Sequence, residues 1–79
     1  MRTTKLYFAA ALVSLGAGLK SVDRSDPRHM EFELTFASPA MNEKEWFDQN
    51  AKLWENRELL TNAQDFVDAI QQLKAEVHR

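Results

Sequence analysis

An apolar run from Leu6 to Leu15 constrains the fold of this 79-residue chain more than any other feature. Ser14 is the only small polar residue in the run, and the apolar residues fall on two stripes at helical spacing. The stripes are Phe8, Ala11, Leu12 and Leu15, and Leu6, Ala9, Ala10 and Val13. A helix that is apolar nearly all round is covered on more than one side, so the run predicts a buried helix.

The ends of this run carry helix signals, but they also match a secretory signal peptide. Thr3 or Thr4 can cap the helix at its start, and Gly16 or Gly18 can end it in a left-handed conformation. Basic residues before the run and small residues after it are also typical of a cleaved signal. The run is shorter than the roughly 20 apolar residues of a membrane span. We predict a core helix in a cytoplasmic protein without membrane contact, with a signal peptide or a membrane-surface helix as alternatives.

Two segments in the first half of the chain have the pattern of β-strands. Leu19–Arg24 predicts a short strand, and His29–Phe36 alternates strictly between apolar and polar residues. The apolar side of the second strand is Met30, Phe32, Leu34 and Phe36. Ser25–Arg28 predicts the turn between them, where Pro27 fixes the backbone. The two segments therefore predict an antiparallel hairpin with one face toward water.

Two amphipathic helices are predicted in the second half. The first contains Trp46 and Trp54 and ends near Asn56–Arg57, where asparagine can adopt a left-handed conformation. Thr61 and Gln64 form a capping box for the last helix. The apolar stripe of that helix is Phe66, Ile70, Leu73 and Val77.

These elements predict a single α+β domain over residues 1–79, in the order helix, antiparallel hairpin, helix, helix. A two-stranded hairpin is not stable by itself, so we expect the helices to pack on its apolar face. The first and last helices are predicted to supply much of that cover. Residues 42–45 fit either the end of a loop or the cap of the second helix.

The residue types present argue against most kinds of catalytic or metal site. The chain has no cysteine, which excludes disulfides, thiolate zinc sites and a cysteine nucleophile. His29 and His78 are far apart in sequence, and neither belongs to a metal-ligand spacing. The only glycines, Gly16 and Gly18, follow a helix rather than a strand and form no phosphate loop. We therefore expect no enzymatic activity, no cofactor and no metal.

The charge is unevenly distributed along the chain. Residues 1–30 hold five basic and two acidic residues, whereas residues 31–79 hold five basic and ten acidic ones. The basic residues of the predicted hairpin are candidate partner-binding residues: Lys20, Arg24, Arg28 and His29, with Arg2 and Lys5 as further candidates. A basic ribbon can bind phosphate or an acidic protein. The acidic residues within the same hairpin would repel phosphate.

The two tryptophans are the other candidate partner-binding residues. Trp46 and Trp54 lie eight positions apart on one predicted helix, and tryptophan is enriched at binding hot spots. A domain this small also needs large side chains in its core. The alternative interpretation is therefore that at least one of the two packs inside.

Several segments carry a resemblance that covers nearly the whole chain: Thr4–Leu12 followed by Leu15 and Gly16, Leu19–Arg24, Met30–Phe36, Leu53–Asn56 and Phe66–Lys74. With these segments the chain resembles a family of short domains of unknown function found largely in bacteriophages and prophages. Such sequences often carry an acid after the capping threonine, whereas this chain has Lys5. The resemblance implies a small phage-encoded protein, cytoplasmic or particle-associated, with no inherited catalytic residues.

The sequence as a whole favours a phage-type accessory protein that binds a host or phage protein as an inhibitor, adaptor or assembly component. The alternative is a nucleic-acid-binding module that uses the basic hairpin, which predicts salt-dependent binding to DNA or RNA. Self-association through an apolar patch is a third hypothesis, from which we would expect a homo-oligomer.

Overall fold

The computed structural model describes residues 1–26 and 28–78, and within them three helices and three strands follow the chain. The strands are β1 (Arg2–Thr3), β2 (Gly18–Asp23) and β3 (Glu31–Thr35). The helices are α1 (Leu6–Ser14), α2 (Glu43–Glu55) and α3 (Ala63–Val77). The predicted α+β class and the order helix, hairpin, helix, helix are confirmed. The conformation predicted for Pro27 lies outside the described residues.

The sheet has a third strand that the sequence did not predict. β3 lies in the centre, and both β1 and β2 pair with it in antiparallel fashion. The backbone of Met1 extends the first pairing, since its nitrogen donates to the Leu34 carbonyl at 3.0 Å and its carbonyl accepts from the Leu34 N–H at 2.7 Å. β3 is therefore paired along both edges, which stabilises a sheet that would be marginal as a hairpin.

α1 forms the centre of the hydrophobic core, as its apolar pattern predicts. Residues 8–12 are all buried, and the Leu12 side chain is completely covered. The same cluster contains Phe32 and Leu34 of β3 and Leu73 of α3. α1 and α3 are the helices that approach each other most closely, and the small alanine side chains of α1 leave room for this.

A β-bulge in β2 explains why that strand lacks a clean alternation. Leu19 lies opposite Leu34 and Ser21 opposite Glu33, so Lys20 is an extra residue in the ladder. Because of the extra residue, Leu19 and Val22 both pack against the core although they are three positions apart. β3 alternates regularly instead, with Phe32 and Leu34 buried as predicted.

For two of the three helices, the residue at the N-terminal cap differs from the predicted one. α1 has Lys5 at its cap position without a side-chain cap, and Thr3 accepts a hydrogen bond from the Lys5 N–H outside the helix. Asn42 caps α2 by accepting from the N–H of Glu45, which settles that segment as a cap. α3 is capped by Asn62 rather than by a Thr61–Gln64 box.

Thr61 has a different contact, which explains why it is not the cap of α3. Its hydroxyl lies 2.5 Å from the Ser14 hydroxyl at the end of α1. The Asn62 side chain takes the capping position and accepts from the N–H groups of Gln64 and Asp65. The Ser14–Thr61 pair therefore joins the end of α1 to the start of α3.

Both α1 and α2 end in a Schellman motif. Gly16 has φ +116°, its N–H donates to the Val13 carbonyl, and the Ala17 N–H donates to the Leu12 carbonyl. The prediction that Gly16 ends α1 is therefore confirmed. α2 makes the same two bonds from Arg57 and Glu58, and Arg57 has φ +59°. Asn56, predicted to be left-handed, has φ −84°, so that prediction is wrong by one residue.

Replacing Arg57 with glycine should raise the free energy of unfolding. A left-handed conformation costs a non-glycine residue about 1–2 kcal/mol, and glycine loses about 0.4–1 kcal/mol more entropy on folding. We expect a net gain of about 0.5–1 kcal/mol in urea unfolding. The matched control is Asn56→Gly, where φ is negative and glycine should destabilise. Equal effects of the two variants would show that Arg57 carries no backbone strain.

Candidate binding groove

The outer face of the sheet brings two predicted basic residues next to carboxylates. The Lys20 ammonium lies 3.9 Å from a Glu33 carboxylate oxygen. The Arg2 guanidinium lies 3.2 Å from Glu31 and 3.8 Å from Glu33. Ser21 donates a further hydrogen bond to Glu33 at 3.0 Å. This face therefore carries mixed, paired charge rather than a continuous positive field.

These contacts make the Glu33 carboxylate a pH-sensitive element of the sheet. The hydrogen bond from Ser21 lowers the pKa of Glu33 below its usual 4.5. Desolvation opposes this effect, and the charges of Lys20 and Arg2 add to the lowering of the pKa. Because the folded pKa is lowered, the stability that Glu33 contributes is present above the pKa of the unfolded chain and is lost as pH falls through the folded value.

We therefore expect the free energy of unfolding to fall as the pH is lowered below about 4.5, and Glu33→Gln to make this fall shallower. Ser21→Ala should act in the same direction, because it removes the largest cause of the lowered pKa. Urea unfolding at a series of pH values measures both. Identical pH profiles for the wild type and both variants would contradict this assignment.

Arg24 ties the hairpin to the last helix. Its guanidinium donates to the backbone carbonyl of Glu76, near the end of α3. Cationic side chains near a helix C-terminus commonly bind the last carbonyls, which have no partner within the helix. Arg24 is exposed, but its charge is directed at α3. It is therefore an anchor of the fold as well as a predicted binding residue.

Both tryptophans are half-buried against the core. The Trp46 ring stacks on Phe36 with centroids 3.8 Å apart and meets Phe47 edge-on at 5.0 Å. The Trp54 ring lies 5.5 Å from the Phe8 ring of α1. These rings attach α2 to the rest of the molecule. The structure thus agrees with the interpretation that a tryptophan serves the core, and a partner could contact only the exposed part of either ring.

Arg28 and His29 both follow the hairpin turn, but only Arg28 lines a groove. The turn is built by Asp26, whose carboxylate accepts from the Arg28 N–H and whose carbonyl accepts from the His29 N–H. His29 is exposed beside the turn. Asp23 accepts from Ser25 in the same way, and these hydrogen bonds lower the pKa of Asp23. Asp23 and Asp26 thus act as turn formers.

The groove at Arg28 lies where the start of α1, the start of β3 and the end of α3 meet. α1 and α3 run antiparallel, because Ser14 meets Thr61 at one end and Leu6 and Val77 lie together at the other. We call this the α1–α3 groove; its volume is about 520 Å³. Its lining residues are Thr4, Leu6, Arg28, Met30, Phe32, Lys74, Val77 and His78.

The α1–α3 groove has an apolar floor and a cationic rim. Leu6, Met30 and Val77 are half-buried and Phe32 is 3% exposed, so these side chains form the floor. The exposed rim residues include Arg28, Lys74 and His78. Among the described residues that line the groove, none is acidic. The combination can accept an apolar side chain that is flanked by negative charge.

The ends of two helices shape the potential at the groove. α1 begins there with Lys5 at its cap position and no acidic residue in its first turn, so the positive end of its dipole is not neutralised. α3 ends there with a partial negative charge, which the ammonium group of Lys74 opposes. The groove is therefore positive in sign, whereas the outer face of the sheet is mixed.

Sequence reasoning found one of the rim residues and missed the rest of the groove. Arg28 was a candidate because it lies in the basic hairpin. Lys74 and His78 lie at the end of α3, more than 40 positions away, and neither was a candidate partner-binding residue. The signal that could have found them is the basic end of α3 beside Val77, an apolar residue that extends the helix stripe to its last turn.

Neither a metal-ligand cluster nor a membrane-spanning helix is found in the described residues. Residues 1–26 and 28–78 contain no group of three or more side chains that could hold a metal ion. No helix in the same residues is long and apolar enough to cross a membrane. Comparison with protein-family models, curated proteins and solved structures finds no match to this chain. The resemblance to phage-associated domains therefore stays a prediction.

Proposed function

We propose that this chain is a small phage-type accessory protein that acts in the host cytoplasm by binding another protein through the α1–α3 groove. The observation that carries the proposal is an open apolar floor whose rim holds two cationic side chains, Arg28 and Lys74, together with the imidazole of His78. Binding sites are typically concave and largely apolar, with a few polar groups that fix orientation. The resemblance to phage-associated domains is the reason for proposing a phage protein.

The groove is a better candidate than the surfaces that the sequence emphasised. On the sheet, Arg2 and Lys20 already face Glu31 and Glu33. Much of the ring surface of both tryptophans is in contact with core side chains. The groove brings half-buried apolar side chains together with Arg28 and Lys74, which form no ion pair among the described residues. Its volume of about 520 Å³ suits one or two partner side chains.

Nucleic-acid binding and self-association are weaker explanations of the same groove. Phosphate contacts need cations but no apolar floor. The acidic residues Glu31 and Glu33 also lie on the strand that carries Phe32 of the floor. A second copy of the chain would have to present an acidic apolar surface to the rim. Nucleic-acid binding is tested directly by the oligonucleotide probe that competes with the peptide.

A pull-down with matched variants tests the proposal. The immobilised wild-type chain, a Met30→Asp variant in the groove and a Leu60→Asp variant are exposed to bacterial lysate, with and without phage infection. Leu60 is 86% exposed and does not line the groove, so its variant controls for an added surface charge. We expect a protein that the wild type and Leu60→Asp retain and Met30→Asp loses. Retention of nothing, or equal retention by all three, would contradict the proposal.

A further inference from the structure

The chemistry of the α1–α3 groove specifies the partner more closely. We infer that the groove binds an acidic peptide segment that inserts one or two apolar side chains between its carboxylates. This inference rests on the proposed function, since it names the partner chemistry of the same site.

Charge complementarity indicates that the partner segment is negatively charged. The described lining residues include Arg28, Lys74 and His78 and no carboxylate. Arg28 and Lys74 are exposed, and neither forms an ion pair in the described part of the chain. Arg2 and Lys20, the predicted basic residues on the sheet, differ in this respect, since both have carboxylate partners. Complementary charges orient a partner and speed its association more than they increase affinity.

The apolar floor of the groove indicates that the partner also carries apolar side chains. Leu6 and Val77 are half-buried and pack against the core cluster. Met30 is half-buried as well, and all three residues leave apolar surface toward the groove. Methionine is flexible and adapts to side chains of different shape. A leucine or phenylalanine of the partner would cover this surface, and burial of apolar area is the main source of affinity. A purely acidic partner would leave the floor exposed to water.

Fluorescence anisotropy with three labelled peptides of equal length tests this chemistry. The first peptide alternates glutamate and aspartate around two leucines, the second has serines in place of the leucines, and the third has lysines in place of the acids. We expect the first to bind, the second about tenfold more weakly because it loses apolar burial, and the third not at all. Added salt should weaken the first complex.

Variants of the full chain test whether the first peptide binds at the α1–α3 groove. Arg28→Ala combined with Lys74→Ala should weaken binding of the first peptide about tenfold, given two lost charge pairs. The matched control is Lys44→Ala combined with Lys52→Ala, which removes two exposed cations from α2 and should leave the affinity unchanged. Equal losses in both double variants would show binding to net charge alone and would overturn the inference.

The remaining outcomes separate this inference from the proposed function. If the first peptide binds no better than the others while the Met30→Asp variant still loses a captured protein, the groove binds protein and the acidic chemistry is wrong. If neither experiment shows dependence on the groove, the proposed function fails as well. A labelled single-stranded oligonucleotide of the same net charge is the competing probe, and tighter binding of it would assign the rim to nucleic acid.

Discussion

Replacing Leu12 with alanine should lower the free energy of unfolding by about 3 kcal/mol. Leu12 lies in the middle of α1, its side chain is 0% exposed, and it belongs to the central core cluster. Truncation would remove buried apolar surface and leave a cavity. A core in a domain this small rarely contributes more than about 3–5 kcal/mol of net stability. Equilibrium urea unfolding should therefore show a much lower midpoint.

Leu60→Ala is the matched control, because it is the same substitution at a leucine that is 86% exposed. We expect a change of less than about 0.5 kcal/mol, as for most surface substitutions. The difference between the two variants separates burial from the intrinsic effect of the leucine-to-alanine change. Equal losses at the two positions would contradict the assignment of α1 to the core.

Deleting residues 1–17 should abolish cooperative folding. The deletion removes β1 and α1, and with them half of the buried hydrophobic residues, including Leu12. It also unpairs one edge of β3 and exposes the buried face of α3, which packs closely on α1. Near-UV circular dichroism and urea unfolding of the truncated chain measure the effect.

The truncated chain should lack a fixed near-UV spectrum and unfold without a sharp transition, since specific packing would be lost. A stable remainder with a cooperative transition would show that the hairpin, α2 and α3 form a core without α1. That result would contradict the central place of α1 in the fold. It would also favour the interpretation of the first residues as a separable segment.

The parts of the fold that could be predicted are those with a long, regular pattern. Apolar and polar residues alternate along the whole of β3, and the apolar stripes of α1 and α3 match helical spacing. The buried faces of these three elements could therefore be predicted from the sequence. β1 has two residues, which is too short for any pattern, and it forms only because β3 offers a free edge. The bulge at Lys20 disturbs the alternation of β2 and depends on its pairing with β3.

The caps show how long-range contacts override local preference. Thr61 has a suitable sequence context for a cap, but its hydroxyl contacts Ser14, which lies 47 positions earlier. Asn62 then caps α3 one residue later. At the end of α2 the backbone turns at Arg57 rather than at Asn56, because the Schellman bonds fix which residue is left-handed. The cap of α3 is therefore tied to a tertiary contact that one segment cannot predict, whereas the end of α2 is fixed by local backbone bonds.

The candidate site was less predictable than the fold because it is assembled from three elements. The basic hairpin was visible as a charge pattern, but the partners of its cations were not. Arg24 binds a carbonyl 52 positions away, and Lys20 lies beside Glu33 on the neighbouring strand. Arg28 remains unpaired among the described residues and meets Lys74 of α3 at the groove. Arg28 and Lys74 are brought to one groove only by the fold, which places the end of α3 beside the hairpin.

The most direct test of the groove is a titration of the ¹⁵N-labelled chain with the acidic leucine peptide, followed by amide chemical shifts. We predict saturable shifts centred on Leu6, Met30, Val77 and His78, the residues where three elements meet. The amides of β2 on the outer sheet, and those of α2, should change little. The largest shifts on β2 or α2, or shifts that never saturate, would contradict a partner-binding site in the α1–α3 groove.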